Sequence, residues 1–281
     1  MLRRLRNGLH SFLFSGVYIA LVAVGASAYT AYALYFSTDL ALLAFTFGGT
    51  LVSYNLHWWL SPIAFFSAQG RAWSLRYRRL RPYLIWLGLC IAGYSWVQLS
   101  AYTIYVCIGA AACTLLYSAP KLPISIPLFA AMVAKAKTFY LAAVWVVVTV
   151  LLPVVEEKHW SLAMAVFTGH RFLFIYALCL LFDIRDREAD AAAHITTLAT
   201  KFPSSTHKNI FVLLLVFSTL TAVLFFEVNT TAFASMLVTI IALRLLYRLA
   251  RKNRSDVFYY LVLDGLLAVP LLFYLLKAAF L

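Results

Sequence analysis

Apolar residues run through this chain in long stretches, and the short segments between them hold nearly all the charge. Nine stretches approach the roughly 20 residues an α-helix needs to cross the hydrocarbon core of a bilayer. They lie at about 11–36, 40–61, 83–100, 102–118, 128–152, 161–182, 209–227, 230–248 and 257–277. None alternates with the two-residue period of a barrel strand, so the spans are read as helices, which satisfy their backbone groups internally. The pattern predicts an all-α membrane protein, a bundle of about nine transmembrane helices forming one domain over residues 1–281.

Composition agrees, since 64% hydrophobic and 12% charged residues over 281 positions, with a mean hydropathy of +0.89, exclude an ordinary soluble domain. Charge orients the bundle. With a cytoplasmic N-terminus, the inner side collects Arg3, Arg4, Arg6, Arg71, Arg76, Arg78, Arg79, Arg81, Lys121, Lys201, Lys208, Arg248, Arg251, Lys252 and Arg254. The outer side keeps Lys158 and Lys277 with Asp39, Glu156, Glu157 and Glu227, an asymmetry that obeys the positive-inside rule. The net charge of +13 is spread over membrane-flanking segments, where lipid headgroups account for it, so membrane lipids and no nucleic acid are expected as partners. Arg3, Arg4 and Arg6 before an apolar run resemble a signal sequence, but the run continues to about Phe36 and is read as a retained helix. The four cysteines fall in apolar spans without metal-ligand spacing and are read as core.

The candidate chemistry lies at the end of the sixth span, in FDIRDREAD. Asp183, Asp186 and Asp190, at offsets of 3 and 7, share one face of a helix. Like charges so close repel, more so beside a membrane, and call for a compensating cation or raised pKa values; a divalent metal is the natural partner. The polar stretches 67–81 and 183–208 fall on the same side and could cap one cavity.

FDIRDREADAAAHITTLATKF resembles the second aspartate-rich motif, DxxDxxxD, of the UbiA superfamily of intramembrane prenyltransferases. LLYSAPKL, KAKTFYLAAVWVVVTVLLP and YYLVLDGLL match in the expected order, from about residue 50 to the C-terminus. The resemblance implies an enzyme that binds a polyprenyl diphosphate through Mg²⁺ held by aspartate-rich motifs on the second and sixth helices. The diphosphate then ionises, and a small lipophilic acceptor attacks the allylic cation. Asp183, Asp186 and Asp190 are the implied metal ligands and catalytic carboxylates.

The first motif departs from the family pattern. Where NDxxD is common, this chain reads YNLHWWLSP: Asn55 matches the asparagine, while Leu56 and Trp59 take the acidic places. Asn55 is kept as a catalytic and metal candidate and His57 as a metal candidate, although imidazole suits transition metals better than Mg²⁺. Three readings follow. Arg71, Arg76, Arg78 and Arg79 neutralise the phosphate charge that a second metal would; or the protein binds an isoprenoid lipid without turning it over; or Asn55 and His57 serve a variant chemistry. The bland alternatives are a solvated acidic loop, interhelical hydrogen bonding and topology alone.

Among the remaining charges, Arg187 lies one turn beyond Asp183 and is expected to touch phosphate or Asp183, with Arg185 pointing away. Lys121, Lys135 and Lys137 come near the start of the fifth span, and Lys137 is the candidate there for diphosphate. Asp264, two turns into the last span, is an expensive carboxylate expected to face the interior, with His170 and Arg171 as possible partners. Trp58, Trp59, Tyr54 and Tyr117 lie near the proposed site without an assigned role. Two function classes remain: a prenyltransferase, with an aromatic quinone precursor as one candidate acceptor, or a noncatalytic lipid-binding protein of the same fold. A transporter is more distant, since Pro120, Pro123 and Pro127 cluster in one loop without a counterpart in another half. The expected location is a bacterial inner membrane, with the site facing the cytoplasm.

Overall fold

The computed structural model of the protein describes residues 2–60, 68–118, 137–158, 160–192, 197–252 and 255–280, and these contain helices and no strand. They begin with α1 (Leu2–Phe14), α2 (Val17–Leu34), α3 (Leu40–Leu60), α4 (Ala68–Tyr77), α5 (Arg81–Trp96) and α6 (Ala101–Ser118). Next, α7 (Lys137–Val146) runs through a π-helical turn, Val147–Leu151, into α8 (Leu152–Glu156). Then come α9 (Leu162–Ala192), α10 (Leu198–Lys201), α11 (Ser204–Leu224) and α12 (Thr230–Ala250). The last helix opens with a π turn (Phe258–Leu263) and a 3-10 turn (Asp264–Leu267) before α13 (Val269–Phe280). Lys121, Lys135, Pro120, Pro123 and Pro127 lie outside the described residues, as do the side chains of Arg71 and Tyr117.

The protein is an all-α, multi-pass membrane protein. By length and composition α2, α7 with α8, the first 27 residues of α9, α11 and α12 can each cross a membrane, and the last helix adds a sixth span if its two bent parts count as one. The stretches at 40–61, 83–100 and 102–118 fall on α3, α5 and α6, which do not meet that test. The 16 residues of α5 rise only about 24 Å against a core of about 30 Å, and α3 spends its last turns on Tyr54, Asn55 and His57.

Two boundaries differ from the hydropathy reading. The run at 11–36 is two helices, because Gly16 sits at φ 80, a left-handed conformation that ends α1 and re-aims the chain into α2. The polar stretch from 183 is not a loop at first: α9 continues to Ala192 and carries all three aspartates. The stretch 67–81 likewise contains α4.

The core is built on α2 and α9. Ala20, Ala23 and Ala26 of α2 are fully buried and let neighbours approach closely, while Phe167, Phe174, Leu180 and Leu181 of α9 fill the space between helices. Polar contacts sort the helix ends into two sets, as sequential antiparallel helices require. At one end Asn55 Nδ2 donates to the Ser15 carbonyl, the Ser11 and Tyr77 hydroxyls meet, and Tyr259 donates to the Ala250 carbonyl. At the other, Glu156 accepts from the Ser100 N–H, Asn229 donates to the Ala33 carbonyl and Tyr35 to that of Val228.

A proline follows each helix interruption: Pro153 comes just after the first π turn and has no N–H to give the Thr149 carbonyl, and Pro270 opens α13 beyond the 3-10 turn. Their freed carbonyls are held by side chains. Thr30 of α2 donates to the Thr149 carbonyl at 2.7 Å, and Tyr18 of α2 donates to that of Leu261 at 2.6 Å. A side chain at Gly265 would collide with the Tyr18 hydroxyl, its Cβ falling 2.5 Å away. Beyond the 3-10 turn the last helix bends by 58°. Arg171 donates to the Leu267 carbonyl at 3.3 Å and lies over the Tyr29 ring, while His170 meets the Ser218 carbonyl at 3.0 Å. Neither contacts Asp264, the partner expected for them, because the bend offers Arg171 a carbonyl instead.

Candidate functional site

Asp183, Asp186 and Asp190 occupy the last three turns of α9, yet each carboxylate is engaged by a different group. Thr138 Oγ1 donates to Asp183 at 2.5 Å. Lys137 Nζ bonds both oxygens of Asp190, at 2.9 and 3.0 Å. These two donors are the first residues of α7, which lies along α9 and so brings adjacent side chains to acids two turns apart. Arg185 grips Asp186 in a forked pair, Nε to Oδ1 at 2.7 Å and Nη2 to Oδ2 at 3.2 Å, and reaches Asp256 at 3.8 Å.

Burial makes these pairings necessary. Asp183 and Asp190 are buried, and carboxylates so withdrawn from water are tolerated only with donors or opposite charge. The Arg185 guanidinium lies about 5 Å from the ring centroids of Phe182, Tyr259 and Tyr260. Flat, weakly hydrated and delocalised, it is the cation best suited to such a slot. The reading of Arg185 as pointing away from the chemistry is therefore corrected. The face of α9 that carries it packs against the aromatic start of the last helix, while Arg187 is exposed.

The first-motif residues separate. Asn55 is buried and its Nδ2 is spent on the Ser15 and Leu51 carbonyls, at 2.9 Å each, whereas His57 is half-buried two residues along the helix, on another face. Arg76, Arg78 and Arg79 are exposed, and Arg76 stacks on Trp73 and Tyr77. The buried arginine of that region is Arg81, 1% exposed, with its guanidinium 5.0 Å from the centre of the Trp58 ring. None of its side-chain nitrogens has a hydrogen-bond partner among the described residues.

Sequence reading thus gave no role at this site to Thr138, Asp256, Arg81 or Arg185, although it put Arg81 and Arg185 at this end of the molecule. Arg81 carried one signal, an arginine directly abutting an apolar run; Thr138 and Asp256 carried none.

The carboxylate oxygens are the hard donors that Mg²⁺ prefers, but their arrangement does not gather them. Among the described residues, no group of three or more His, Cys, Asp or Glu side chains lies where it could hold one metal ion. Asp183, Asp186 and Asp190 each face their own partner, so no step of a mechanism is derived through a metal here.

A cavity opens beside this cluster, lined by Phe14, Tyr18, Asn55, Trp58, Tyr260 and Asp264 among others. Tyr260 links the two, with one side toward Arg185 and the other lining the cavity. Comparison with known proteins adds no assignment: no family model, curated protein or solved structure matches the chain.

Proposed function

We propose that this chain is an intramembrane prenyltransferase that moves an isoprenoid from a polyprenyl diphosphate to a small lipophilic acceptor. The observation that carries the reading is the gathering of the DxxDxxxD carboxylates of α9 with Lys137, Thr138 and Arg185, beside an aromatic-walled cavity at one end of a membrane bundle. Transfer would break the allylic C–O bond, its electron pair leaving with the diphosphate, while a nucleophilic atom of the acceptor bonds the allylic carbon and loses a proton. The obstacle is the charge of the leaving group. Lys137 and Arg185 can lower it by exchanging carboxylate oxygens for phosphate oxygens, and the exposed Arg76, Arg78, Arg79 and Arg187 can draw the anion from solution.

Mg²⁺ belongs to this proposal only as the ion the family resemblance implies. A second reading, an isoprenoid-binding protein without turnover, is favoured by Leu56 and Trp59 in the acidic places of the first motif and by the self-paired state of the aspartates. The location proposed is a bacterial inner membrane, with this end toward the cytoplasm.

Incubating the purified protein with labelled farnesyl or longer prenyl diphosphates, with and without Mg²⁺, and following binding and pyrophosphate release in parallel separates the readings. Release lost in Asp186→Asn supports transfer. Binding without release, with a broad mixture of acceptors present, supports the second reading, and no binding removes both.

A further inference from the structure

We infer that α1 is a hinged plug: docked as it is here, its Phe14 seals two buried guanidinium groups, those of Arg81 and Arg185, from anions in solution, and a swing about Gly16 uncovers them. Where the anion is a diphosphate the plug regulates the function proposed above; only that identity rests on the proposed function.

Phe14, 4% exposed, is the wedge. Its ring meets Trp58 of α3 edge-on at 5.7 Å and Tyr260 of the last helix edge-on at 5.6 Å. Each of those rings carries a guanidinium, Arg81 over Trp58 and Arg185 over Tyr260, both at 5.0 Å. One side chain of α1 thus braces both covers at once. Behind the first, Arg81 keeps all three nitrogens without a hydrogen-bond partner among the described residues, at 1% exposure. A cation with five donors, withdrawn from water and left unanswered, is unfavourable to hold, and an anion is the group that answers it.

The attachment of α1 suits a moving part. Ser15 and Gly16 alone join it to α2, and Gly16, at φ 80, has the backbone freedom to re-aim it. Leu13 and Phe14 form with Trp73 a cluster apart from the main core, so α1 can leave without opening that core. Side chains latch it. Asn55 Nδ2 donates to the Ser15 carbonyl at 2.9 Å, the Ser11 and Tyr77 hydroxyls meet, and the His10 ring stacks on Trp73 of α4 at 5.0 Å. A second resting place is at hand on the membrane surface. Leu2, Leu5, Leu9 and Phe12 recur at helical spacing with Arg3, Arg4 and Arg6 between them, the pattern of a helix that lies on an anionic bilayer, and Leu9 and Phe12 are exposed even when α1 is docked. Ring contacts and a few hydrogen bonds are a modest hold, which the binding of an anion can overcome.

The test uses the full-length protein in detergent, carrying Ser11→Cys and Tyr77→Cys, with inorganic pyrophosphate as the probe and no added metal. A short bis-thiosulfonate ties α1 to α4 through the two cysteines, and reductant releases it, so the same molecules serve as their own folding control. A Ser11→Cys chain treated alike accounts for the native cysteines. Calorimetry should show the tied form binding pyrophosphate about tenfold more weakly than the released form. Phe14→Ala should bind it about tenfold more tightly than the unaltered chain, the factor for two lost ring contacts, and the tied form decides the matter if this variant does not fold. Equal affinity in tied and released forms, no binding by either, or unchanged affinity in folded Phe14→Ala would overturn the plug. Failure of the prenyl reading looks different. The tie would still govern pyrophosphate affinity, but no labelled prenyl diphosphate would release its diphosphate. Conversely, release abolished by Asp186→Asn yet equally fast in tied and released chains would sink the plug alone.

Discussion

The aspartate end of α9 and the neighbouring cavity use the same chemical groups in opposite ways. At Asp183, Asp186 and Asp190 every carboxylate has a partner within the chain, whereas beside the cavity the buried Oδ1 of Asn55 has none among the described residues. A saturated cluster is stable before any ligand arrives, so a ligand must displace contacts to enter it. An unsaturated acceptor holds its cost in reserve and recovers it when a donor, a water included, reaches it. One region resists occupation and the other invites it, although a single tyrosine, Tyr260, separates them.

The contrast can be broken most directly at Lys137. Lys137→Met should take the ion pair from the buried Asp190 and cost about 3 kcal/mol, the scale for removing one member of a buried pair. A Lys137→Met/Asp190→Leu double variant should regain most of that, and thermal unfolding in detergent would read both. An unchanged melting temperature in the single variant would mean that the aspartate end is not held by its pairs. Next in size, Arg185→Gln should lose about 2 kcal/mol with its three ring contacts and forked pair, while Arg187→Gln at the exposed position should stay within about 0.5 kcal/mol. Equal effects would restore the assignment that helix spacing alone suggested. Thr138→Val removes a single donor to Asp183 and should cost about 1 to 2 kcal/mol by denaturant titration. Smallest, and opposite in sign, is Asp264→Asn. With no hydrogen bond among the described residues to lose and an ionisable group buried among apolar helices replaced by an amide, it should raise stability by about 1 kcal/mol in the absence of ligand. A drop of similar size would show that the carboxylate is satisfied after all.

How much of this was legible in the sequence varies by residue. The three aspartates share one stretch of helix because an offset of three or seven residues is a property of the helix itself, and apolar length alone sufficed to announce membrane helices. Asp264 advertised itself, since a lone carboxylate in an apolar run must be buried among other helices or be absent. Its neighbour Asn55 stood out only through the first-motif resemblance; its contact with Ser15 was hidden, because it depends on the turn at Gly16, and a run of apolar residues conceals a glycine with positive φ. The exchange of roles between Arg185 and Arg187 has the same origin. Spacing tells which face of α9 a side chain occupies, but only the aromatic start of the last helix decides which face is covered. Thr138 and Asp256 are ordinary in sequence and matter only through what lies opposite them.

The π turn at Phe258–Leu263 gives the last helix one residue more per turn than an α-helix would hold there. Deleting one residue from this segment would let it close into regular α-helix, and everything on one side would rotate by about 100° against the other. Tyr259 and Tyr260, which cover Arg185, and Asp264, which faces the cavity, would then no longer look toward their respective sites together. The register of a single helix therefore couples the two regions, and in a lineage of such chains the length of this segment should tolerate change less readily than its composition.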